Sequence, residues 1–145
     1  MSEAIFGLVG VLLGAIAAGL GDYLLGKNRE KAEVRRSARL LSLELEEARI
    51  FIEDSLEELR WVADPERVLS NGVWFEHRGS FAQVKSPDLW RVVSGAFLKV
   101  GELRRKNHGA KPGTRLEPGD ERYEDAAAVL PGVQVALAAL SGFLD

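Results

Sequence analysis

The stretch AIFGLVGVLLGAIAAGLG, Ala4 to Gly21, runs for eighteen positions without a charge or a strongly polar side chain. At about 1.5 Å per residue, a helix from Ala4 to Gly26 measures about 34 Å, against about 30 Å for the hydrocarbon core of a bilayer. A lone spanning segment must pair every backbone N–H and C=O within itself, and only a helix does so. The expectation for residues 1–26 is therefore a transmembrane anchor, and the rest of the chain is read outward from it.

The flanks separate a retained anchor from a removable leader. Ala15-Ile16-Ala17 loosely imitates a small-residue cleavage site. Against that, Glu3 is the sole charge before the apolar run, whereas Lys27, Arg29, Lys31, Arg35, Arg36 and Arg39 follow it. Positive charge resists translocation, which predicts a single-pass protein of the inner (cytoplasmic) membrane with its C-terminal part in the cytoplasm. These six basic residues stand against Glu30 and Glu33, for a net charge of +4. They read as a topology determinant and as a contact for anionic lipid, worth about 1 kcal/mol per side chain near the surface.

Within the anchor, Gly7, Gly10, Gly14, Ala17 and Gly21 recur at steps of three and four and share one face. Small residues let two backbones approach closely, and Gly10-x-x-x-Gly14 is a dimerisation pattern in itself. Glycine is also common in membrane helices for no such reason. The face predicts a homo-oligomer or a partner membrane protein. Asp22, next to Tyr23 and one turn before Lys27, suits the headgroup level.

Composition bounds the remainder. Of 145 residues, those after the anchor suffice for one small domain. The net charge of −3 gives no global basic field, so a nucleic-acid partner is not expected. The chain contains no cysteine, which excludes disulfides, thiolate zinc sites and cysteine catalysis.

Residues 27–63 contain no Gly or Pro and are rich in Glu, Arg, Leu and Ala, which predicts a long juxtamembrane amphipathic helix. Val34, Ala38, Leu41, Leu45, Ala48, Ile52, Leu56, Leu59 and Ala63 form its apolar stripe. Steps of seven from Gly10 through Ala17, Leu24, Ala38, Leu45 and Ile52 keep one phase, broken only at Lys31. Anchor and helix are thus expected to form one rod ended by Asp64-Pro65.

Residues 64–145 complete a small cytoplasmic helical bundle. After the Asn71-Gly72 turn signal, Trp74, Phe75 and Phe81 crowd into one segment, to be read either as core against the long helix or as a partner-docking surface. Ser86-Pro87-Asp88 opens a helix with an N-cap Ser, Pro at the first position and Asp at the positive end. Its stripe is Leu89, Val93, Ala96, Val100 and Leu103, widened by Trp90 and Phe97. Residues 107–119, with three Gly and two Pro, read as a mobile loop. A final helix begins at Asp120, with Tyr123, Ala127, Leu130, Leu137 and Leu140 expected inward and a kink or break expected at Pro131-Gly132. The fold class is all-α.

Catalytic signatures are weak. His77 and His108 each lack a second metal ligand at helical spacing, and His77 beside Glu76 makes a poor base pair because adjacent side chains point apart. Gly109-Ala110-Lys111-Pro112-Gly113-Thr114 has the ingredients of a phosphate loop in the wrong order. Neither a cofactor nor a metal is expected.

A Gly/Ala-rich span, then Arg-Arg-Ser-Ala-Arg-Leu-Leu-Ser-Leu-Glu-Leu-Glu from Arg35 to Glu46, then a Trp-containing segment before a Leu-Trp-x-Val-Val helix, resembles small single-pass membrane proteins of high-GC bacteria and their phages. That resemblance implies the topology and leaves the activity open. The expectation is a non-enzymatic, membrane-anchored interaction or scaffold protein. Its alternatives are a ligand receptor or enzyme with a pocket around Trp61, Trp74, His77 and Trp90, a phage-type membrane-active protein, and a wholly soluble bundle that buries its N-terminal helix.

Overall fold

The computed structural model describes the backbone of residues 2–145 and the side chains of Leu20 and of residues 23–145. The expected packing face of Gly7, Gly10, Gly14, Ala17 and Gly21, and most of the expected anchor, lie outside those described side chains. Five helices follow in order: α1 (Ser2–Glu57), α2 (Pro65–Val68), α3 (Gly72–Phe81), α4 (Pro87–Lys106) and α5 (Glu121–Leu144). Among the described residues there is no strand, only an isolated antiparallel bridge between Arg60 and Arg115. Two compact units divide the chain at Glu33 and Val34.

In the first unit, Leu20, Tyr23, Leu24 and Leu25 are 57% to 65% exposed, and every described residue from Tyr23 to Glu33 faces solvent. The second unit is a helical bundle around one apolar cluster. α1 supplies Ala38, Leu41, Leu45, Ala48, Phe51 and Ile52, the expected stripe widened by Phe51. α4 supplies Leu89, Val93, Ala96, Phe97, Val100 and Leu103, as the spacing predicts. Ser86 caps α4, its Oγ accepting the Leu89 N–H at 3.3 Å.

α1 stops at Glu57, six residues before the expected end at Ala63. The cause is Leu59, which adopts a left-handed conformation at φ 52°. Its N–H donates to the Leu56 carbonyl at 3.4 Å and the Arg60 N–H donates to the Ser55 carbonyl at 3.1 Å. That pair of bonds is a Schellman closure, here with Leu where Gly is usual. The reversed chain delivers Trp61 to the interior, fully buried and stacked on Phe51 with ring centroids 5.4 Å apart.

The segment 107–119 is pinned, contrary to the mobility expected of it. The Trp61 N–H donates to Thr114 O at 2.9 Å, the Gly113 N–H to Trp61 O at 2.7 Å, and the Leu116 N–H to Leu59 O at 2.8 Å. Leu116 is fully buried, so the loop closes the end of the core. Gly109, Gly113 and Gly119 all have positive φ, which shapes the loop without Cβ strain.

α5 runs unbroken through Pro131, which lies on the exposed side, where the carbonyl left unpaired by its missing N–H can be solvated. The inward residues are Ala126, Val129, Val133, Ala136 and Leu140. Of the residues expected inward, only Leu140 is buried, while Tyr123, Ala127, Leu130 and Leu137 sit half-buried at the margins. This helix carries no charge from Ala126 to Leu144, so it has no polar face to fix its rotation from sequence.

The left-handed Leu59 yields a test of the helix end. An L-residue with a Cβ costs about 1–2 kcal/mol there, and Leu59 is nearly half exposed. Leu59→Gly is expected to raise stability by about 0.5–1 kcal/mol in urea denaturation, after the lost side-chain contacts and the added freedom of the unfolded chain are subtracted. Trp61→Ala is expected to lower it by about 3–5 kcal/mol.

Candidate functional site

The histidines stand apart from one another and from any enclosed site. His77 Nε2 lies 3.8 Å from Glu76 Oε1, beyond hydrogen-bond range, and the Glu76 side chain is 75% exposed. His108 Nδ1 meets Glu66 Oε1, which also accepts the Gly109 N–H at 2.8 Å. That contact ties the loop to α2. Among the described residues no three His, Asp or Glu side chains gather as a metal site.

The Gly109–Thr114 segment has its backbone donors already engaged. The Gly109 N–H goes to Glu66, Ala110 to Asn107 O at 3.0 Å, Lys111 to Thr114 Oγ1 at 3.2 Å, Gly113 to Trp61 O and Thr114 to Lys111 O at 3.1 Å. Pro112 has no N–H to offer. A phosphate cradle needs such donors free and convergent, so this loop is a structural clasp.

The aromatic segment divides between core and surface. Trp74 and Phe81 are buried, Trp74 stacking on Phe97 at 4.9 Å and both lying against Trp90 at 5.3 and 6.0 Å. Two of the three residues considered for docking are therefore interior, because the 3.6-residue turn of α3 sends positions 74 and 81 to one side. Phe75 remains outside at 62% exposure, with the Arg78 guanidinium 5.1 Å from its ring.

What positions this aromatic helix is a carboxylate from α1. Glu44 Oε1 accepts the Val73 N–H at 3.2 Å and Oε2 the Trp74 N–H at 3.1 Å, which caps the α3 N-terminus from another helix. Asn71, the residue at the cap position, turns away and donates Nδ2 to Phe97 O at 3.2 Å. Gly101 makes room for it, since a Cβ there would sit 2.5 Å from Asn71 Nδ2. Burial pushes the Glu44 carboxyl up from its ordinary value, and nearby Glu47 adds to this. The Val73 and Trp74 N–H groups, and His77 more weakly, pull it back.

Sequence inspection overlooked two further polar links. Arg49 binds Glu46 with two bonds of 2.6 and 2.9 Å and Glu53 with one of 2.5 Å, along a single face of α1. Lys106 Nζ lies 2.9 Å from both oxygens of Asp125, joining α4 to α5. The first was legible from i+3 and i+4 spacing, whereas the second depends on tertiary packing.

The surface grooves are shallow. One of about 180 Å³ surrounds the Lys106–Asp125 pair, and an apolar one of about 360 Å³ lies between Leu89, Val92, Ala139 and Phe143. A third, of about 290 Å³, is lined by Glu66, Gly101, Arg104, Arg105 and His108. Trp61, Trp74, His77 and Trp90 line none of these three. α5 is long and apolar enough to cross a membrane, yet one side of it lies in the bundle core.

Lys27, Arg29, Lys31, Arg35, Arg36 and Arg39 are all exposed along α1. No protein-family model, curated protein or solved structure matches this chain.

The Glu44 clamp has a defined pH signature. A carboxyl whose folded pKa is raised contributes stability that is full below the unfolded value of about 4.3 and is lost as pH rises through the folded pKa. Relative to Glu44→Gln, the parent chain should therefore weaken as pH rises from about 4 to 7, as read from urea midpoints at each pH. Glu44→Ala, which leaves two α3 N–H groups without their partner, is expected to cost about 1–2 kcal/mol at neutral pH.

Proposed function

We propose that this chain is a membrane-anchored, non-enzymatic interaction or scaffold protein. A single N-terminal helix holds it in the inner membrane, and the bundle of residues 34–145 faces the cytoplasm. The observation that carries the reading is the charge asymmetry around an uncharged span: one acidic residue before it and six basic residues soon after it. The exposure of Leu20, Tyr23, Leu24 and Leu25 supports it, because a wholly soluble chain would have to cover those side chains. The resemblance to small single-pass proteins of high-GC bacteria and phages points the same way.

Self-association through Gly7, Gly10, Gly14, Ala17 and Gly21, or docking of that face on a partner's membrane helix, is the assembly mode that fits their spacing. A filled aromatic core favours a presenting scaffold over a receptor with an internal pocket. The bundle offers Phe75 as an exposed aromatic anchor for a partner.

Fractionation of bacteria expressing the full chain tests the anchor, and disulfide crosslinking of Gly10→Cys tests assembly. Membrane-bound dimers that disappear when Gly14→Leu is added are the expected outcome. Recovery as a soluble monomer would overturn both parts.

A further inference from the structure

Only one side of α5 is packed in the bundle. Opposite its core residues, Ala128, Pro131, Val135, Ala138 and Gly142 are exposed, and they follow one another at steps of three and four. That spacing sets them on one face over about four turns. Val135, in the middle of the face, is 57% exposed. A helix on the outside of a bundle normally turns charge to the water, yet no charged residue lies between Ala126 and Leu144. Side chains this small let a second helix come close.

The two edges of the face differ in charge. Gly132 and Gln134 lie on opposite sides of it, about 60° one way and about 100° the other from Val135 at about 100° per residue. On the Gly132 edge the Lys99 side chain of α4 lies over α5, and a Cβ on Gly132 would sit 3.8 Å from the Lys99 Nζ. On the Gln134 edge the Gln134 amide donates to Glu53 Oε1 of α1 at 3.2 Å. Glu53 also binds Arg49, and its carboxylate keeps lone pairs for a further donor. Lys99 joins no ion pair among the described residues, whereas Lys106 on the same edge is held by Asp125. A cation and an acid thus border the middle of one apolar face, level to within about 3 Å along the helix.

Such a pattern is complementary to a copy of itself in one orientation. A twofold axis along α5 makes two copies of the helix parallel and sets Lys99 of each against Glu53 of the other. An axis across the helices makes them antiparallel and sets Lys99 against Lys99 and Glu53 against Glu53. We propose that the outer face of α5 is a self-association surface on which two copies of the bundle pair with their α5 helices parallel, centred near Val135. Glu124, one turn before Ala128 on the same face, would meet its own copy, so the two helices cross at an angle and part before it. The apolar groove of Leu89, Val92, Ala139 and Phe143 extends the face at its other end, where Gly142 helps to line it. Every residue of this surface lies in the bundle, so the pairing does not rest on the membrane-anchor reading or on the Gly10 and Gly14 face.

The chain has no cysteine, so single cysteines report the pairing. The full chain carrying Ala128→Cys or Val135→Cys is oxidised in whichever fraction of expressing bacteria holds it. Parallel helices bring each position onto its own copy, so both variants should form disulfide-linked dimers. Lys99→Glu should lower both yields at least about fivefold, and adding Glu53→Lys should restore them. The crosslinks should also survive Gly14→Leu, which disturbs the membrane-helix face alone. Crosslinking by Val135→Cys without Ala128→Cys overturns the parallel arrangement, since an antiparallel pair sets Ala128 against Gly142. Yields unchanged by Lys99→Glu, or not restored in a double variant with the parental urea midpoint, overturn the Lys99 to Glu53 match. Loss of both crosslinks with Gly14→Leu makes the contact a by-product of the membrane helices and overturns the surface. Shielding of Val135→Cys from a water-soluble maleimide without any crosslink overturns it in favour of another occupant, lipid included.

Discussion

The bundle depends on one reversal of the chain at Leu59. A helix as apolar on one side as α1 has no local reason to stop at Glu57, yet the left-handed turn there sends Trp61 inward onto Phe51. Once Trp61 is enclosed, its backbone N–H and C=O must find partners, because an unpaired buried amide costs as much as a lost hydrogen bond. Thr114 and Gly113 supply them. The enclosure of one indole thus dictates the path of a loop far along the sequence, and that loop in turn places Leu116 over the core.

Charge is used inside this domain as well as on its surface. Glu44 gives up part of its hydration to hold two N–H groups of α3, and the orientation of Trp74 and Phe81 follows from that hold. The carboxylate is half-buried, and the two α3 N–H groups, with His77 more weakly, offset part of the cost of that burial. Asn71, displaced from capping, spends its amide on the Phe97 carbonyl and so links α3 to α4.

The parts legible in the sequence are those where local and tertiary signals agree. Ser86-Pro87 and the Leu89 to Leu103 stripe gave α4 residue for residue, and the α1 stripe held through Ile52. The end of α1 was not legible, since Leu carries none of the signal that Gly gives at a left-handed position. The rotation of α5 was hidden for the opposite reason, an apolar surface all round. Leu116 was the one clue that a Gly- and Pro-rich loop would be anchored, and Glu44 gave none, because its partners lie 29 and 30 residues away. Of the candidate site residues, the basic side chains could be placed on the surface from spacing and charge, whereas the division of Trp74 and Phe81 from Phe75 needed the helical turn of α3.

The packing of α5 also ties the end of the chain to its first helix. Gln134 donates to Glu53 across 81 residues, and the core face of α1 has no complete cover until α5 arrives. α4 and α5 are near neighbours in sequence and can close on each other quickly, but their closure onto α1 spans a much longer loop and is correspondingly slower. In the order of synthesis α1 precedes α5, so its apolar stripe is made ahead of the helix that shares its core. The Glu46, Arg49 and Glu53 side chains set charge beside that stripe, the kind of placement that disfavours association of an apolar segment.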